Sequence, residues 1–352
     1  MPSNSTCLVT GGAGFIGAHV VRKLLAAGRE VVVLDDLSGG FRDNVPASAT
    51  FVQGDICDHE LVNRLFRRYR FHHVFHLAAY AAEGLSHFIK RYNWNNNLIG
   101  SINLINAAVN HGVGCFVFTS SIAVYGAGQL PMREEMTPQP EDSYGIAKYA
   151  VEQELECSRR MFGLDYVIFR PHNVYGEYQN IGDRYRNVIG IFMNQIMQGR
   201  PLTIFGDGTQ TRAFSYVGPV AEIIARSPEE PAARNQVFNV GADEPWSVGE
   251  LANLVGEVMG VRPQLEFLPA RNEVLHAWSD HRRVEQVFGR PETVSLRQGL
   301  EMMAAWARQH GARCTPPFAG IEIAQNLPPS WATFTLPGGD AFGAAAVYPD
   351  PV

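Results

Sequence analysis

The sequence contains little that would indicate a disulfide framework, a membrane span or a nucleic-acid surface. Its 352 residues include only 5 cysteines, scattered and without C-x-x-C spacing, so we expect reduced thiols and no zinc site. No apolar run approaches the roughly 20 residues of a membrane-spanning helix. A formal net charge of −6 argues against nucleic acid as the main partner. No secretory signal precedes the first apolar run, and we therefore expect a cytoplasmic protein.

The N-terminal stretch predicts a dinucleotide-binding unit. An apolar run at 7–10 leads into a glycine-rich turn, helical spacing of apolar residues follows over 18–27, and a second apolar run at 30–35 ends in an acid. Glycines in such a turn allow a sharp bend, a close approach of backbone N–H groups to a pyrophosphate, and close packing of helix on strand. The glycines are Gly11, Gly14 and Gly17.

Acids at the ends of the predicted strands indicate which dinucleotide fits. Asp35 would accept hydrogen bonds from the adenosine ribose hydroxyls and repel a 2′-phosphate, which favours NAD over NADP. Asp55 lies near the end of a third predicted strand at 50–56. Two interpretations of Asp55 remain open: contact with the adenine amino group, or the N-cap of a helix over 61–66.

The alternation of strands and helices predicts an α/β fold, a Rossmann-type doubly wound parallel sheet with a smaller C-terminal substrate-binding lobe. We expect residues 1–175 to form the NAD-binding domain, with later segments returning to it. Residues 176–312 would form mainly the substrate lobe, and 313–352 a Pro/Gly/Ala-rich tail without an assigned role. Further helices are predicted over 93–110 and 296–310.

Three residues carry the predicted chemistry. Tyr144 and Lys148 are four apart, so on a helix they share one face. The lysine would favour the phenolate and hold the nicotinamide ribose, so that Tyr144 acts as general base and acid on a substrate hydroxyl. Ser121, at the end of a predicted strand, would bind the same oxygen. The histidines at 72, 73 and 76 alternate between strand faces without acids or cysteines nearby, so we expect no metal.

Several motifs in order resemble the extended short-chain dehydrogenase/reductase family, in particular its NAD-dependent epimerase/dehydratase members that act on nucleotide sugars. The motifs are TGGAGFIG at 10–17, LAA at 77–79, TSSIAVYG at 119–126, YGIAK at 144–148, RPHNVYG at 170–176 and IFGDG at 204–208. The resemblance is strongest to the UDP-glucose (UDP-galactose) 4-epimerase group. It implies an enzyme that interconverts C4 epimers of a nucleotide-diphosphate sugar through a 4-keto sugar, with tightly bound NAD that is not consumed.

The resemblance and the strand-end arguments together assign residues to the site. Ser121, Tyr144 and Lys148 would be catalytic. The cofactor would contact Gly11, Gly14, Phe15, Ile16, Gly17, Asp35, Asp36, Ser38, Gly40, Asp55, Ile56, Leu77, Ala78, Ala79, Asn97, Ser120, Tyr144, Lys148 and Pro171. The substrate would contact Glu83, Ser121, Asn173, Asn187, Phe205, Arg212 and Arg271. Family members commonly dimerise, so a homodimer through helices over 93–110 and 143–162 is expected.

Two positions bear on the alternatives within the family. Dehydratases need an acid pair directly after the strand-end hydroxyl, whereas Ile122 and Ala123 follow Ser121 here, which favours epimerisation. Ala277 is small at a position where bulk would restrict the site to unacetylated sugars, so hexose, N-acetylhexosamine and uronic acid substrates stay open. A dehydratase or reductase of the same family, and a non-catalytic dinucleotide-binding scaffold, are the remaining alternatives.

Overall fold

A parallel sheet of seven strands carries most of the chain in the computed structural model, which describes residues 5–128, 130–271 and 273–332. Helices cover both faces of this sheet, and a smaller lobe built on a separate core lies beyond its carboxyl edge. No helix in the described ranges has the length and apolar character needed to cross a membrane.

The strands of the described residues number fourteen. They are β1 (Thr6–Thr10), β2 (Glu30–Asp35), β3 (Thr50–Gln53), β4 (His73–His76), β5 (Cys115–Thr119), β6 (Tyr166–Pro171), β7 (Val174–Tyr175), β8 (Leu202–Phe205), β9 (Thr211–Ala213), β10 (Ser215–Tyr216), β11 (Gln236–Val240), β12 (Pro245–Ser247), β13 (Leu265–Leu268) and β14 (His276–Ala277).

The α-helices of the same residues number twelve. They are α1 (Phe15–Ala26), α2 (His59–Tyr69), α3 (Glu83–Ser86), α4 (Lys90–Trp94), α5 (Gly100–Asn110), α6 (Ser143–Phe162), α7 (Val188–Met197), α8 (Val217–Arg226), α9 (Val248–Met259), α10 (Arg282–Phe288), α11 (Leu296–His310) and α12 (Pro329–Ala332). A π-helical turn, Asn95–Ile99, joins α4 to α5, and short 3₁₀ helices lie at Arg42–Asn44, Ile122–Tyr125, Ser227–Glu229 and Pro231–Ala233.

The strand order of the main sheet is β11-β6-β5-β4-β1-β2-β3, with every pairing parallel. The chain order reverses between β1 and β4, and such a switch point opens a crevice at the carboxyl ends of the strands. Alternate residues of a strand face opposite sides. Val9 accordingly packs in the core beneath α1 and α8, whereas Leu8 packs in the core beneath α2, α5 and α6.

The predicted fold class is confirmed, with differences at particular elements. The third strand ends at Gln53, earlier than predicted, and the helix predicted over 61–66 spans His59–Tyr69. The carboxylate of Asp58 accepts the Leu61 N–H at 2.9 Å and caps this helix. The alternative role of Asp55 as the N-cap is therefore wrong, because its carboxylate accepts the Cys57 N–H at 2.8 Å instead.

Later segments return to the sheet of the predicted first domain. Strand β11 pairs with β6 from Gln236↔Val167 to Val240↔Pro171 and forms the edge of the sheet. Helix α8 packs against α1, and Val284 and Phe288 of α10 enter the same core. The small lobe has its own core from α7, α9 and α11, and capping boxes at Ser247 and Ser295 begin α9 and α11.

The described part of the predicted tail, 313–332, lies against the domain. Phe318 and Trp331 pack with aromatic residues of the segments before α3, in α4 and around residue 185. Residues 333–352 lie outside the described residues.

The two histidines of β4, His73 and His76, are buried. His76 exchanges hydrogen bonds with the Thr10 hydroxyl at 2.7 Å and the Ser101 hydroxyl at 2.8 Å. His73 is 7% exposed, and burial lowers its pKa to about 3. A buried histidine that stays neutral while its unfolded counterpart ionises makes stability depend on pH.

We predict that His73→Leu weakens the acid sensitivity of the fold. Above about pH 6.5 the histidine is neutral in both states; as the pH falls below that value, the unfolded chain binds a proton that the folded chain does not. The free energy of unfolding should therefore drop by about 2 kcal/mol more in the wild type than in the variant between pH 7 and pH 5. Urea unfolding at both pH values measures the difference, and parallel losses in the two proteins would contradict the prediction.

Candidate active site

A cleft of about 1880 Å³ opens at the carboxyl ends of the sheet strands and extends to the small lobe. The glycine turn after β1, the strand ends of β2 to β6, and the N-terminal part of α6 line its sheet side. The lobe side consists of residues around α7, β8 and β14.

The glycine turn can exist only without side chains at two of its positions. Gly11 has a φ of +71°, and a Cβ there would lie 2.6 Å from the Ala78 nitrogen. A Cβ on Gly17 would lie 2.1 Å from the Gly11 oxygen, so helix and turn touch at this residue. At Gly14 the nearest atom to a Cβ is the Gly11 oxygen at 3.1 Å, with open space otherwise.

The N-terminus of α1 points its first turn at the cleft. Gly14 is the N-cap residue and supplies no side-chain hydrogen bond, and Phe15, Ile16 and Gly17 line the cleft. A helix N-terminus with exposed backbone N–H groups favours a phosphate. The turn therefore fits the pyrophosphate of a dinucleotide.

Asp35 closes the adenosine end of this site. Its carboxylate accepts the N–H groups of Ala13 at 2.9 Å and Leu37 at 2.8 Å, which holds the acid at the rim of the glycine turn. Burial raises its pKa, and the two backbone N–H groups oppose that shift. The remaining lone pairs of the two oxygens suit ribose hydroxyls, so these residues fit NAD.

The residues predicted for cofactor and substrate lie along this cleft with one exception, Asn97. Asn97 is 1% exposed and binds the Tyr80 N–H through Oδ1 and the Tyr80 carbonyl and Asn93 through Nδ2. The oxygen and nitrogen of its side-chain amide are therefore already hydrogen-bonded, mainly to the loop after β4. The neighbouring Asn96 lines the cleft instead, because the π-helical turn shifts which residues face it.

The three predicted catalytic residues meet on the floor of the cleft. The Ser121 hydroxyl accepts the Ala123 N–H at 3.1 Å and lies near enough to the Tyr144 phenol to lower its pKa. Lys148, one turn along α6, donates from Nζ to the Thr119 carbonyl at 2.8 Å and lies 5.8 Å from the centre of the Tyr144 ring. A hydroxyl pair with a nearby amine can pass a proton to and from a bound hydroxyl.

Burial controls the protonation of this group. It raises the pKa of Tyr144 above its ordinary value, and the Ser121 hydroxyl opposes the shift. Burial also lowers the pKa of Lys148 to about 7, which Glu152 partly offsets. The expectation that Lys148 makes Tyr144 a ready phenolate therefore does not hold for the chain by itself.

The predicted substrate residues on the lobe side differ in how far their side chains are already engaged. Asn187 caps α7 by accepting the Ile189 N–H and donates to the Val174 carbonyl at 2.6 Å. Arg212 donates to the carbonyls of Thr211, Val274 and Leu275. That leaves little of the Asn187 side chain for a ligand, and part of the five-donor guanidinium of Arg212.

Arg271, Phe205 and Glu83 also line the cleft. The Nη2 of Arg271 lies 3.7 Å from the Glu273 carboxylate. The guanidinium of Arg271 lies 3.8 Å from the centre of the Phe205 ring, and its Nε is buried without a hydrogen-bond partner. Glu83 begins α3 and lines the cleft, where its side chain is exposed; the protein atoms around the cleft, with Asp142, raise the pKa of its carboxyl. Asn173, with a φ of +40°, lines the floor between β6 and β7.

Sequence reasoning missed a buried network beneath the catalytic residues. Arg170 donates from Nε to Glu152 at 3.0 Å and from Nη1 to the Tyr125 hydroxyl at 2.7 Å. Glu152 also accepts the Ser120 hydroxyl. The available signal was the spacing of Glu152, one turn after Lys148 on the same helix.

A metal centre has no candidate in the described ranges, where no three His, Cys, Asp or Glu side chains come together.

Comparison with known proteins decides the family. The model of the NAD dependent epimerase/dehydratase family matches residues 7–241. The chain belongs to this family. It is 34% identical to a putative UDP-glucose 4-epimerase of Methanocaldococcus jannaschii over 86% of the chain and 98% of that protein.

Two solved structures of this epimerase/dehydratase family show the same architecture. The UDP-glucose 4-epimerase of Thermotoga maritima with UDP-glucose has a TM-score of 0.83 and 35% identity, covering 87% of this chain and 99% of its own. The UDP-N-acetylglucosamine 4-epimerase of Methanobrevibacter ruminantium has a TM-score of 0.81 and 28% identity, with the same shares covered. The fold and the NAD dependence of the family thus apply to this chain.

We predict that two glycine substitutions in the cofactor turn affect different properties, NAD binding in one case and fold stability in the other. Gly14→Ala should keep the fold, because only the Gly11 oxygen is near the added methyl group. It should weaken NAD binding at least tenfold, because the methyl group would occupy the space beside the helix N-terminus where we expect the pyrophosphate. Gly17→Ala should destabilise the fold itself by about 2 kcal/mol or more, because its methyl group overlaps the Gly11 carbonyl. Thermal unfolding and NAD titration separate the two effects. A Gly14→Ala protein with unchanged NAD affinity would contradict the assignment of the turn.

Proposed function

We propose that this enzyme interconverts C4 epimers of a nucleotide-diphosphate sugar with bound NAD. The observation that carries the proposal is the meeting of Ser121, Tyr144 and Lys148 beside the glycine turn, in one cleft with Arg271 and Phe205. The relatives named UDP-glucose 4-epimerase, which the chain resembles over most of its length, support this choice.

The proposed roles follow from position. NAD supplies the hydride acceptor and donor at the sugar carbon. Tyr144 takes the proton of the sugar O4 and later returns it, and Ser121 holds that oxygen by a hydrogen bond. Lys148 fixes the nicotinamide ribose and favours the ionised state of Tyr144 once its ammonium is charged.

Residues on the substrate side of the cleft would bind the base, the diphosphate and the sugar. Phe205 offers a ring face for the base, and Arg271, with part of Arg212, suits the diphosphate charge. Glu83 is placed to accept hydrogen bonds from sugar hydroxyls. The 4-keto sugar has to turn over between the two hydride transfers, and a cleft of about 1880 Å³ leaves space for that movement.

Elimination chemistry is disfavoured by the residues after Ser121. Ile122 and Ala123 are apolar and line the cleft where a dehydratase would need its acids. Of the acids near Tyr144, Asp142 is engaged in capping α6 through the Gly145 N–H at 2.8 Å. The overall fold does not discriminate, since a dTDP-glucose 4,6-dehydratase from Streptomyces venezuelae matches with a TM-score of 0.80.

Hexose, N-acetylhexosamine and uronic acid substrates differ in the substituents that the wall of the cleft around Ala277 would have to accommodate. Ala277 lies in β14 beside Arg212 and presents a small side chain to the cleft. A small residue at this wall leaves room for an N-acetyl group, which supports a site that also accepts acetylated sugars.

We predict that the purified protein interconverts UDP-glucose and UDP-galactose, or their N-acetylated forms, without added NAD and without net NADH formation. Chromatography of the products with NMR at C4 measures the inversion. Accumulation of a 4-keto-6-deoxy sugar would show a dehydratase, and net consumption of NADH with substrate reduction would show a reductase. No conversion of either pair, with NAD bound, would reject a UDP-hexose epimerase.

We predict that Tyr144→Phe lowers kcat by about 10²–10⁴-fold, because the proton acceptor is lost, with NAD still bound. Tyr149→Phe is the matched control, since Tyr149 lies on the same helix outside the cleft lining. Turnover of the C4 epimers measured on both variants tests the assignment. A Tyr144→Phe enzyme with more than a tenth of wild-type kcat would contradict the role of Tyr144 as base.

We also propose that the protein works in the cytoplasm as a homodimer through α5 and α6. Ile99, at the end of the π-helical turn before α5, is 49% exposed, and Ile146 on α6 is 40% exposed, which supports an interface there. Sedimentation velocity measures the oligomeric state.

A further inference from the structure

The segment after α11 crosses the mouth of the cleft instead of leaving the domain. Arg313 begins the crossing with backbone hydrogen bonds to the Asn194 amide at 2.8 and 2.9 Å. Glu322 then accepts the backbone N–H groups of Arg91 and Tyr92 at 2.8 and 2.9 Å, at the start of α4. Both ends of the crossing are therefore fixed by hydrogen bonds to structured elements.

Apolar packing holds the segment between and beyond these points. Phe318 packs against Tyr80 at 5.2 Å and Tyr92 at 4.9 Å between ring centres. Trp331 packs against Tyr185 at 5.3 Å and is 8% exposed. The segment is thus part of the packed structure up to Trp331.

Trp331 contacts the part of the cleft where the substrate is expected. The centre of its ring lies 5.4 Å from the Arg271 guanidinium, and the same guanidinium lies 3.8 Å from the centre of the Phe205 ring. The indole also approaches Gly84, where a Cβ would lie 3.4 Å from it. Trp331 is therefore near both Arg271 and the residue that follows Glu83.

The relatives leave part of this chain without a counterpart. The Thermotoga maritima structure is covered over 99% of its length by 87% of this chain, so about an eighth of this chain has no counterpart in it. The family model itself ends at residue 241.

We propose that Trp331, carried by the segment 313–332, is a positioning residue that holds Arg271 against the diphosphate of the substrate. This inference rests on the proposed function. An arginine in contact with two aromatic rings has less freedom to reorient its guanidinium plane, so its donors meet the phosphate oxygens at a smaller entropic cost. The Nε of Arg271 is buried without a hydrogen-bond partner, and its Nη2 lies 3.7 Å from the Glu273 carboxylate.

The test measures binding of UDP and dTDP by calorimetry on the NAD-containing full chain, together with KM and kcat for the sugar. Trp331→Ala should weaken diphosphate binding and raise KM about tenfold while kcat stays within about twofold. Trp331→Phe should recover most of the loss. In an Arg271→Ala background, Trp331→Ala should have no further effect.

Phe318→Ala is the matched control within the segment, because Phe318 packs on Tyr80 and Tyr92 and not on Arg271. Equal losses in both variants would overturn the assignment to Trp331, as would a Trp331→Ala protein that binds UDP like the wild type. If the wild type binds UDP, Trp331→Ala weakens that binding and no nucleotide sugar is turned over, the epimerase activity is rejected and this inference stands. Binding of neither nucleotide would reject both.

Discussion

A buried ion pair sets the position of the catalytic helix. Arg170 at the end of β6 and Glu152 on α6 are each 4% exposed at their side chains, and the same carboxylate accepts the hydroxyl of Ser120 at the end of β5. Loss of one partner would leave an uncompensated charge in a low dielectric, which commonly costs about 3–5 kcal/mol. The pair thus fixes how far α6 stands from the strand ends, and with it the separation of Ser121 from Tyr144.

The surrounding protein atoms set the electrostatics of the cleft above this pair. They bring the pKa of an acid, Glu83, and of a base, Lys148, to about 7 from opposite directions. Ligand groups near either side chain therefore act on its protonation. A phosphate would favour the charged lysine, and sugar hydroxyls that donate hydrogen bonds to Glu83 would favour its carboxylate.

Sequence patterns predict those parts of the site that lie within a few neighbouring residues. The glycine turn, Asp35 and the four-residue spacing of Tyr144 and Lys148 each lie within one strand–turn–helix or one helix, so their geometry follows from short-range rules. Asn97 escaped this reasoning because a π-helical turn changes which amide faces the cleft. Contacts between segments that are distant in sequence leave no periodic pattern, so the roles of Trp331 and of the pair Arg170 and Glu152 were not predicted. The edge strand β11 was not predicted for the same reason.

The return of β11 to the sheet has a consequence for synthesis of the chain. While the ribosome is still making the small lobe, β6 has no neighbour on its outer side, and the faces that α8 and α10 later cover are open. An unpaired strand edge beside an apolar face is a template for association with other chains. The nascent protein therefore passes through a stage in which its largest core is incomplete, and this stage ends only after residue 288 has left the exit tunnel.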